Sequence, residues 1–212
     1  MMPAHIPTIR SDRALTRLLA LGAGEFAHVN GSLALHLRRT EKLLRRWGNR
    51  DTLCLAGLCH AIYGTDGITG ALADLDARAE IAGIIGTEAE HLAYLYGACS
   101  RQAFHPRIGT SDQLLFTDRH TRTDYAISMS ELRDLCELTV ANGLDLARGS
   151  RRFRDRYATE LIAFFKRMEG LVSDAAVAAV RVALDPEADS RATFMATSTG
   201  GNHCRDAYGG QE

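Results

Sequence analysis

Two histidines of this sequence, His36 and His60, have surroundings in which an imidazole could do chemistry. His36 lies beside an apolar stripe with helical spacing, and His60 ends the most apolar run of the chain, between Cys59 and Ala61. A buried imidazole needs partners for both ring nitrogens, because an unpaired polar group in a core is costly. A second histidine, a metal ion, a substrate, or a carbonyl with a water would each serve. Since histidine titrates near neutral pH, such a pair could provide a base and an acid.

Polar residues close to the histidines in sequence are candidates for the same site. Tyr63 follows His60 by three positions and could donate its phenol proton, and Asp66 could orient a substrate or fix a histidine tautomer. These two residues and the two histidines form our candidate catalytic set. The candidate substrate-binding residues are His28, Thr40, Thr65, Arg78, Arg101 and Arg107. An arginine can pair with a carboxylate or phosphate, although a surface ion pair is the simpler interpretation of each one.

Helices must position these residues, and helical periodicity runs through most of the chain. Between Pro7 and Pro106 no proline interrupts it. The predicted helices cover a short stretch after Ser11 and about 30–47, 51–60, 73–85, 87–101, 128–147, 154–169 and 175–184. The helix that ends at His60 is apolar on all sides, which predicts burial at the centre of the fold. Two segments, 87–90 and 128–131, have the spacing of capping boxes.

Two parts of the chain depart from the helical pattern. Between 106 and 128, the runs 114–117 and 123–127 flank a polar turn and predict a small β-hairpin. After Pro186 the composition turns to Ser, Thr, Gly and Asp without an apolar period, which predicts a loose tail. We therefore expect an N-terminal extension over 1–10, one helical domain over 11–185 and a flexible tail over 186–212.

The composition argues against several classes of function. A formal net charge of −1 gives no electrostatic case for binding nucleic acid. No apolar run approaches the roughly 20 residues that span a bilayer, and the first ten residues have no hydrophobic signal core. The five cysteines are scattered: Cys54, Cys59, Cys99 and Cys136 lie in apolar helical patterns, typical of core residues in a reducing compartment, and Cys204 lies in the tail. We predict a cytoplasmic protein with a small-molecule substrate, without nucleic-acid or membrane partners, whose last apolar helix could serve a homodimer.

The segments that contain the two histidines resemble the HD-domain superfamily. They read His-Leu-Arg-Arg-Thr at 36–40 and Leu-Ala-Gly-Leu-Cys-His-Ala-Ile-Tyr-Gly-Thr at 55–65. That superfamily is an all-helical fold that binds one or two metal ions through a histidine on one helix, a His-Asp doublet ending the next, and a later aspartate. The resemblance implies that His36 and His60 match the two histidines. The residue after His60 is alanine, however, and Ser100 stands in the closest register for the later aspartate.

An uncharacterised bacterial and fungal branch of the superfamily is more similar still. In that branch the doublet is typically histidine and a small residue, followed by Tyr-Gly-Thr, as at 60–65. Further similar segments lie at 78–81, 89–95 and 132–142. The resemblance covers about 25–147 and implies a single all-α, HD-like helical bundle, but it carries over no reaction.

The missing carboxylates bear directly on the metal that the resemblance implies. Carboxylates supply the negative charge that holds hard cations such as Mg²⁺ or Mn²⁺, so a two-metal phosphohydrolase is not expected. A single Zn or Fe ion stays open, held by His36 and His60 with His28, Asp66 or Glu90 as a third ligand. Such a centre would make the protein a single-metal hydrolase or oxygenase.

Two functional hypotheses follow from these residues. The first is an enzyme that acts on a small molecule by acid–base chemistry, as an isomerase, lyase, cyclase or hydrolase, with or without the single metal ion. The second is a ligand-binding or regulatory module that kept the fold and lost the chemistry. The polar set Tyr63, Thr65 and Asp66 favours the first, because a purely structural core would not need it.

Overall fold

The structure, a computed structural model, describes residues 9–29, 31–110 and 115–184. Its helices are α1 (Ile9–Ala20), α2 (Leu33–Arg46), α3 (Asp51–Cys59), α4 (Arg78–Ile85), α5 (Thr87–Ala98), α6 (Arg101–Phe104), α7 (Met129–Gly149), α8 (Arg151–Lys166) and α9 (Asp174–Leu184). Its strands are β1 (Ala27–His28), β2 (Gly31–Ser32), β3 (Leu115–Asp118) and β4 (Thr123–Ala126), and single 3-10 turns cover Leu75–Ala77 and His105–Arg107. The predicted tail over 186–212 and most of the predicted extension over 1–10 lie outside the described residues.

The predicted all-α fold with a small hairpin is confirmed. β3 and β4 pair antiparallel where the sequence predicted the hairpin. A shorter antiparallel pair, which we did not predict, joins β1 and β2 directly before α2. α2 therefore begins three residues later than predicted, because the Ser32 side chain accepts a hydrogen bond from the Leu35 amide and caps the helix there.

The two predicted capping boxes have different outcomes. At the start of α7, Ser128 and Glu131 form the reciprocal hydrogen bonds of a capping box. At the start of α5 the prediction was wrong, because the Glu90 side chain turns inward to accept hydrogen bonds from Arg78. The ion pair with Arg78 thus replaces the expected cap.

α3 lies at the centre of the fold, as its apolar sequence predicts. Every residue from Leu53 to Cys59 is buried, and α3 packs against α1, α2, α5 and α7. His60 follows directly at its end, while His36 projects from the buried face of α2. Since α2 and α3 pack against each other, the two histidines reach one interior space.

Gly57 allows α2 and α3 to approach closely. A methyl group on Gly57 would overlap Cδ1 of Leu44, which is fully buried on α2. The carbonyl oxygen of Gly57 also accepts a hydrogen bond from the ring of His60. The glycine therefore links the packing of the helix pair to the position of a histidine.

Replacing Gly57 with alanine is expected to destabilise the protein by about 1–3 kcal/mol, because the added methyl group overpacks the contact with Leu44. Urea denaturation measures the free energy of unfolding. Gly83→Ala is the matched control, since Gly83 is an exposed helical glycine whose added methyl group meets nothing within 4 Å. That control should be neutral or gain up to about 1 kcal/mol through helix propensity. Equal effects of the two substitutions would contradict the close helix contact.

The described part of the chain also bears on the predictions from composition. Its cysteines, Cys54, Cys59, Cys99 and Cys136, are free and buried, as expected of core residues. Among the described helices, none combines the length and the apolar character that crossing a bilayer requires. α9 packs on α7 and α8, and the homodimer through this helix stays a prediction.

Candidate functional site

The structure brings His36 and His60 together inside the fold. Their Nε2 atoms lie 3.3 Å apart, and the two rings meet edge to face. Their exposed fractions are only 1% and 2%. Both rings are therefore removed from bulk water, and each nitrogen must find its partner within the site.

The outer nitrogens of the two rings have fixed partners. Nδ1 of His36 lies 2.7 Å from Oδ2 of Asp145, and Nδ1 of His60 lies 2.8 Å from the carbonyl oxygen of Gly57. An ionised carboxylate and a carbonyl can only accept hydrogen bonds, so both Nδ1 atoms carry the proton and donate. In the neutral rings, the two Nε2 atoms are then acceptors whose lone pairs share one space.

Asp145 is a buried carboxylate held by Arg39 as well as by His36. The Arg39 guanidinium donates to both carboxylate oxygens, with distances of 2.6 and 3.0 Å. Burial alone would raise the pKa of Asp145, but the hydrogen bonds from His36 and Arg39 outweigh it and hold the pKa below its ordinary value. Asp145 therefore stays ionised and fixes the tautomer and orientation of His36.

Asn142 adds a third polar group to the inner face of the pair. Its Oδ1 lies 2.9 Å from Nε2 of His36. A side-chain amide can present its oxygen or its NH₂ group, so Asn142 can accept from a protonated Nε2 or donate to an unprotonated one. Asn142 can therefore keep a hydrogen bond to Nε2 of His36 in either protonation state, without any movement of the ring.

A cleft of about 70 Å³ opens onto both histidines. Phe26, Leu33, Ile68, Leu72 and Leu146 form most of its apolar wall. Besides the histidine pair, its polar groups come from His28, Thr65, Arg101 and Asn142. The site is thus a small, largely apolar space with a few convergent polar groups, which is the usual character of a small-molecule site.

His28 covers the histidine pair at the mouth of the cleft. Its ring stacks on that of His36, with centroids 4.2 Å apart and an interplanar angle of 18°. Burial and the neighbouring His36 lower the pKa of His28 to about 4, so this ring is neutral at neutral pH. His28 therefore lines the cleft, and its role in substrate binding stays a prediction.

Arg101 lies on another side of the cleft and is positioned by Asp66 and Tyr96. Its backbone amide donates to Oδ2 of Asp66 at 2.8 Å, and its guanidinium lies 5.6 Å from the centre of the Tyr96 ring. The same Tyr96 ring contacts His60 edge to face. Asp66 therefore supports Arg101 at the start of α6, and it is not among the residues that line the cleft.

Several candidates from the sequence lie away from the cleft. Tyr63 donates to Glu90, which also accepts from Arg78. A predicted catalytic residue, a predicted metal ligand and a predicted substrate-binding residue thus form one cluster around the buried carboxylate of Glu90. Burial, with the charge of Glu90, raises the pKa of Tyr63 far above its usual range. Thr40 bonds to the backbone oxygen of His36, and Arg107 bonds to a surface carbonyl of β3.

The residues present do not fit the carboxylate-bearing metal centre that the HD resemblance implies. In the described part of the chain, no group of three or more His, Cys, Asp or Glu side chains could hold a metal ion. Asn142, an uncharged amide, stands beside the histidines, while Ser100 is not among the residues lining the cleft. Asp145 faces the outer nitrogen of His36 and is occupied by Arg39.

Sequence reasoning missed Asn142, Asp145 and Arg39. Asn142 and Asp145 are three residues apart on α7, a spacing that places both on one helix face. Arg39 follows His36 by the same interval on α2. The usable signal was a pair of polar residues on the otherwise apolar face of α7.

Comparison with known proteins gives a family match without a function. Residues 17–101 match the model of a domain of unknown function, DUF6817. The matched segment, under half of the chain, contains both histidines and Arg101 but ends before Asn142 and Asp145. No curated protein and no solved structure matches the chain.

Proposed function

We propose that the protein is an enzyme that moves a proton on a small molecule, with His36 and His60 as a coupled acid–base pair. The observation that carries the proposal is the 3.3 Å separation of the two Nε2 atoms, which are the acceptor nitrogens of neutral rings whose Nδ1 atoms donate to Asp145 and Gly57. Two lone pairs in contact repel each other, and one proton between them replaces that repulsion with an N–H···N hydrogen bond. The pair is therefore a ready acceptor of one proton from a substrate.

The groups around the His36–His60 pair stabilise the state with one added proton and disfavour the state with two. A proton on Nε2 makes His36 an imidazolium, which the carboxylate of Asp145 stabilises from the other side of the ring. Burial and the charge of His36 lower the pKa of His60 to about 3, so a second proton does not enter near neutral pH. One proton can thus be taken from one atom of a substrate and returned to another.

The reaction classes that fit are those in which proton movement is the main event. Isomerisation, elimination and cyclisation need a base that later acts as an acid, and hydrolysis would also fit. The small cleft and the buried rings support this role, since fixed polar groups in a site removed from bulk water stabilise a charge that develops on the substrate more strongly than water does.

The proposal includes a scaffold and a compartment. We infer an HD-like scaffold that kept its two histidines and lost its carboxylates, supported by one histidine on α2 and the other at the end of α3. We also infer the cytoplasm, supported by the free and buried state of the described cysteines.

Exchange of carbon-bound hydrogen for deuterium tests the proposal without knowledge of the full reaction. The protein is incubated in D₂O with a panel of small ketones, aldehydes and carboxylates, and loss of carbon-bound ¹H is followed by NMR. We expect exchange of at least one member, and a loss of about 10²-fold or more in His36→Gln, since the base is removed. His91→Gln is the control, because His91 is a half-exposed histidine paired with Glu131 away from the cleft.

Nitrogen NMR of the histidine rings tests the proposal even if the panel lacks the substrate, because it measures which ring nitrogens carry protons. We expect both rings protonated at Nδ1 and at most one proton shared between the Nε2 atoms at neutral pH. Two rings with the proton on Nε2 would overturn the proposal, because the pair would then contain no base.

Metal analysis separates the metal-dependent alternative. A single Zn or Fe ion would have two imidazole nitrogens and the amide oxygen of Asn142, without the negative charge of a carboxylate ligand. We expect a substoichiometric metal content and exchange that survives a chelator. Stoichiometric Zn or Fe, with exchange abolished by the chelator, would replace the acid–base pair by a metal centre.

The ligand-binding module is the second alternative, favoured by the absence of the implied carboxylates. It predicts a protein that binds small molecules in the cleft but exchanges no hydrogen in any of them. Histidine tautomers as expected, together with binding and no exchange across a broad panel, would favour the module over the enzyme.

A further inference from the structure

Arg101 supplies the cleft with a positive charge that forms no ion pair with any of the described residues. The arginines Arg17, Arg39, Arg45, Arg50 and Arg78 each pair with a carboxylate. For the guanidinium of Arg101, the described residues offer no carboxylate oxygen within 4.0 Å, and it donates a hydrogen bond to the Tyr96 hydroxyl, 3.3 Å away. No Asp or Glu is among the described residues that line the cleft.

Besides the guanidinium of Arg101, the cleft contains a polar ring atom of His28 that lacks a hydrogen-bond partner among the described residues. Its Nδ1 is buried, and no hydrogen-bond partner for it is found within the described residues. The ring lines the same cleft as Arg101 and is neutral. A buried polar atom without a partner is costly, so a bound ligand that supplies one would be favoured.

We propose that the substrate is a small aliphatic molecule with one carboxylate group, which binds Arg101 while the reacting end faces the His36–His60 pair. This inference rests on the acid–base function proposed above and specifies its substrate class. The relative placement is supported by Tyr96, whose single ring contacts His60 on one side and Arg101 on another. An anion held there lies within the same small space as the two bases.

A carboxylate suits this cleft better than a phosphate group does. One guanidinium balances one negative charge, and its planar fork matches the two oxygens of a carboxylate. A phosphate monoester at neutral pH carries about −1.5 to −2 charges, which is more than this single cation offsets. The cleft of about 70 Å³ is under half the volume of a cavity that holds benzene, roughly 150 Å³, so only a few heavy atoms fit beside its apolar wall.

Binding of propionate, followed by NMR chemical shifts of the protein, tests the inference. We expect wild type to bind propionate, and Arg101→Gln to bind it at least tenfold more weakly. Arg107→Gln is the matched control, since Arg107 lies nearby in the chain, bonds to a surface carbonyl and is not among the described residues that line the cleft. Propionamide, which has nearly the same shape without the charge, should bind at least tenfold more weakly than propionate to wild type.

The outcomes distinguish this inference from the function on which it rests. Equal propionate binding by wild type and Arg101→Gln, or binding of inorganic phosphate in preference to propionate, would overturn the substrate class and leave the base untouched. Propionate binding that depends on Arg101, together with no hydrogen exchange in any carboxylate tested, would overturn the acid–base function and leave the assignment of the anion to Arg101 standing. Loss of binding in His36→Gln with no change in Arg101→Gln would overturn the assignment of the anion to Arg101.

Discussion

Replacement of Asp145 by asparagine is expected to lower the rate of substrate hydrogen exchange by about 10²–10⁴-fold. The carboxylate accepts hydrogen bonds from both Arg39 and His36. An asparagine has one acceptor oxygen, and the guanidinium can only donate, so that oxygen will face Arg39. The NH₂ group then faces His36, and Nδ1 must become the acceptor.

The change of acceptor moves the proton of the His36 ring from Nδ1 to Nε2. The inner nitrogen of the pair is then already protonated, and His36 can no longer take a proton from a substrate. Nitrogen NMR should report this tautomer directly, independently of any substrate. The same spectrum measures whether the ring remains in place, because His28 and His60 both contact it.

Asp134→Asn is the matched control for this substitution. Asp134 is also a buried aspartate of α7, and it accepts two hydrogen bonds from Arg50, but it contacts neither histidine. The two variants should lose comparable stability, while Asp134→Asn keeps wild-type exchange. Exchange within threefold of wild type in Asp145→Asn, or an equal loss in both variants, would show that Asp145 does not set the tautomer.

The convergence of His36 and His60 could be predicted from the sequence, because the two residues lie on consecutive helices. His36 lies on one apolar helix and His60 at the end of the next, and consecutive helices joined by a short turn pack against each other. The complete burial of α3 left only one interior into which both rings could point. The pairing therefore follows from periodicity alone.

The partners of His36 could not be predicted in the same way. Asp145 is 109 positions further along the chain, and its contact with His36 depends on how α7 packs on α2. A buried aspartate and a solvated one look alike in a single sequence. Only its three-residue spacing from Asn142 distinguishes it, and that spacing is common on exposed helix faces.

Tyr63 illustrates the opposite error, in which closeness in sequence was taken for closeness in space. It follows His60 by three positions, yet its hydroxyl bonds to Glu90 on α5. Glu90 is buried and ionisable, so it draws both Tyr63 and Arg78 into its own hydrogen-bond network. The requirement to satisfy one buried carboxylate thus decided the position of three candidate site residues.

The free energy of unfolding is expected to fall by about 2 kcal/mol between pH 7 and pH 5 through His60 alone. Burial, followed by the charge of His36, lowers the pKa of His60 from 6.5 to about 3, while Gly57, Arg101 and His28 contribute smaller effects. Below pH 6.5 the His60 imidazole is therefore protonated in the unfolded chain but stays neutral in the folded state, so the free energy of unfolding decreases as the pH falls. The loss is complete only near pH 3.

Other groups change this pH profile in known directions. Burial lowers the pKa of His28 and of His105 to about 4, so both add to the loss below pH 6.5. Asp145, whose pKa is held below its ordinary value, contributes stability that is present above that value and is lost only in stronger acid. The decrease between pH 7 and pH 5 therefore belongs to buried neutral histidines.

Urea denaturation of wild type and His60→Gln at pH 7, 6 and 5 isolates the share of His60. The variant starts from a lower stability, but its decrease over this interval should be about 2 kcal/mol smaller than that of wild type. His28→Gln, at a half-buried site, should reduce the decrease by a smaller amount and provides a second measurement should His60→Gln fold poorly. Since His91 is half exposed and paired with Glu131, His91→Gln should keep the wild-type decrease. A profile unchanged in both His60→Gln and His28→Gln would mean that the two rings are not held neutral in the fold, and the one-proton limit of the pair would fail with it.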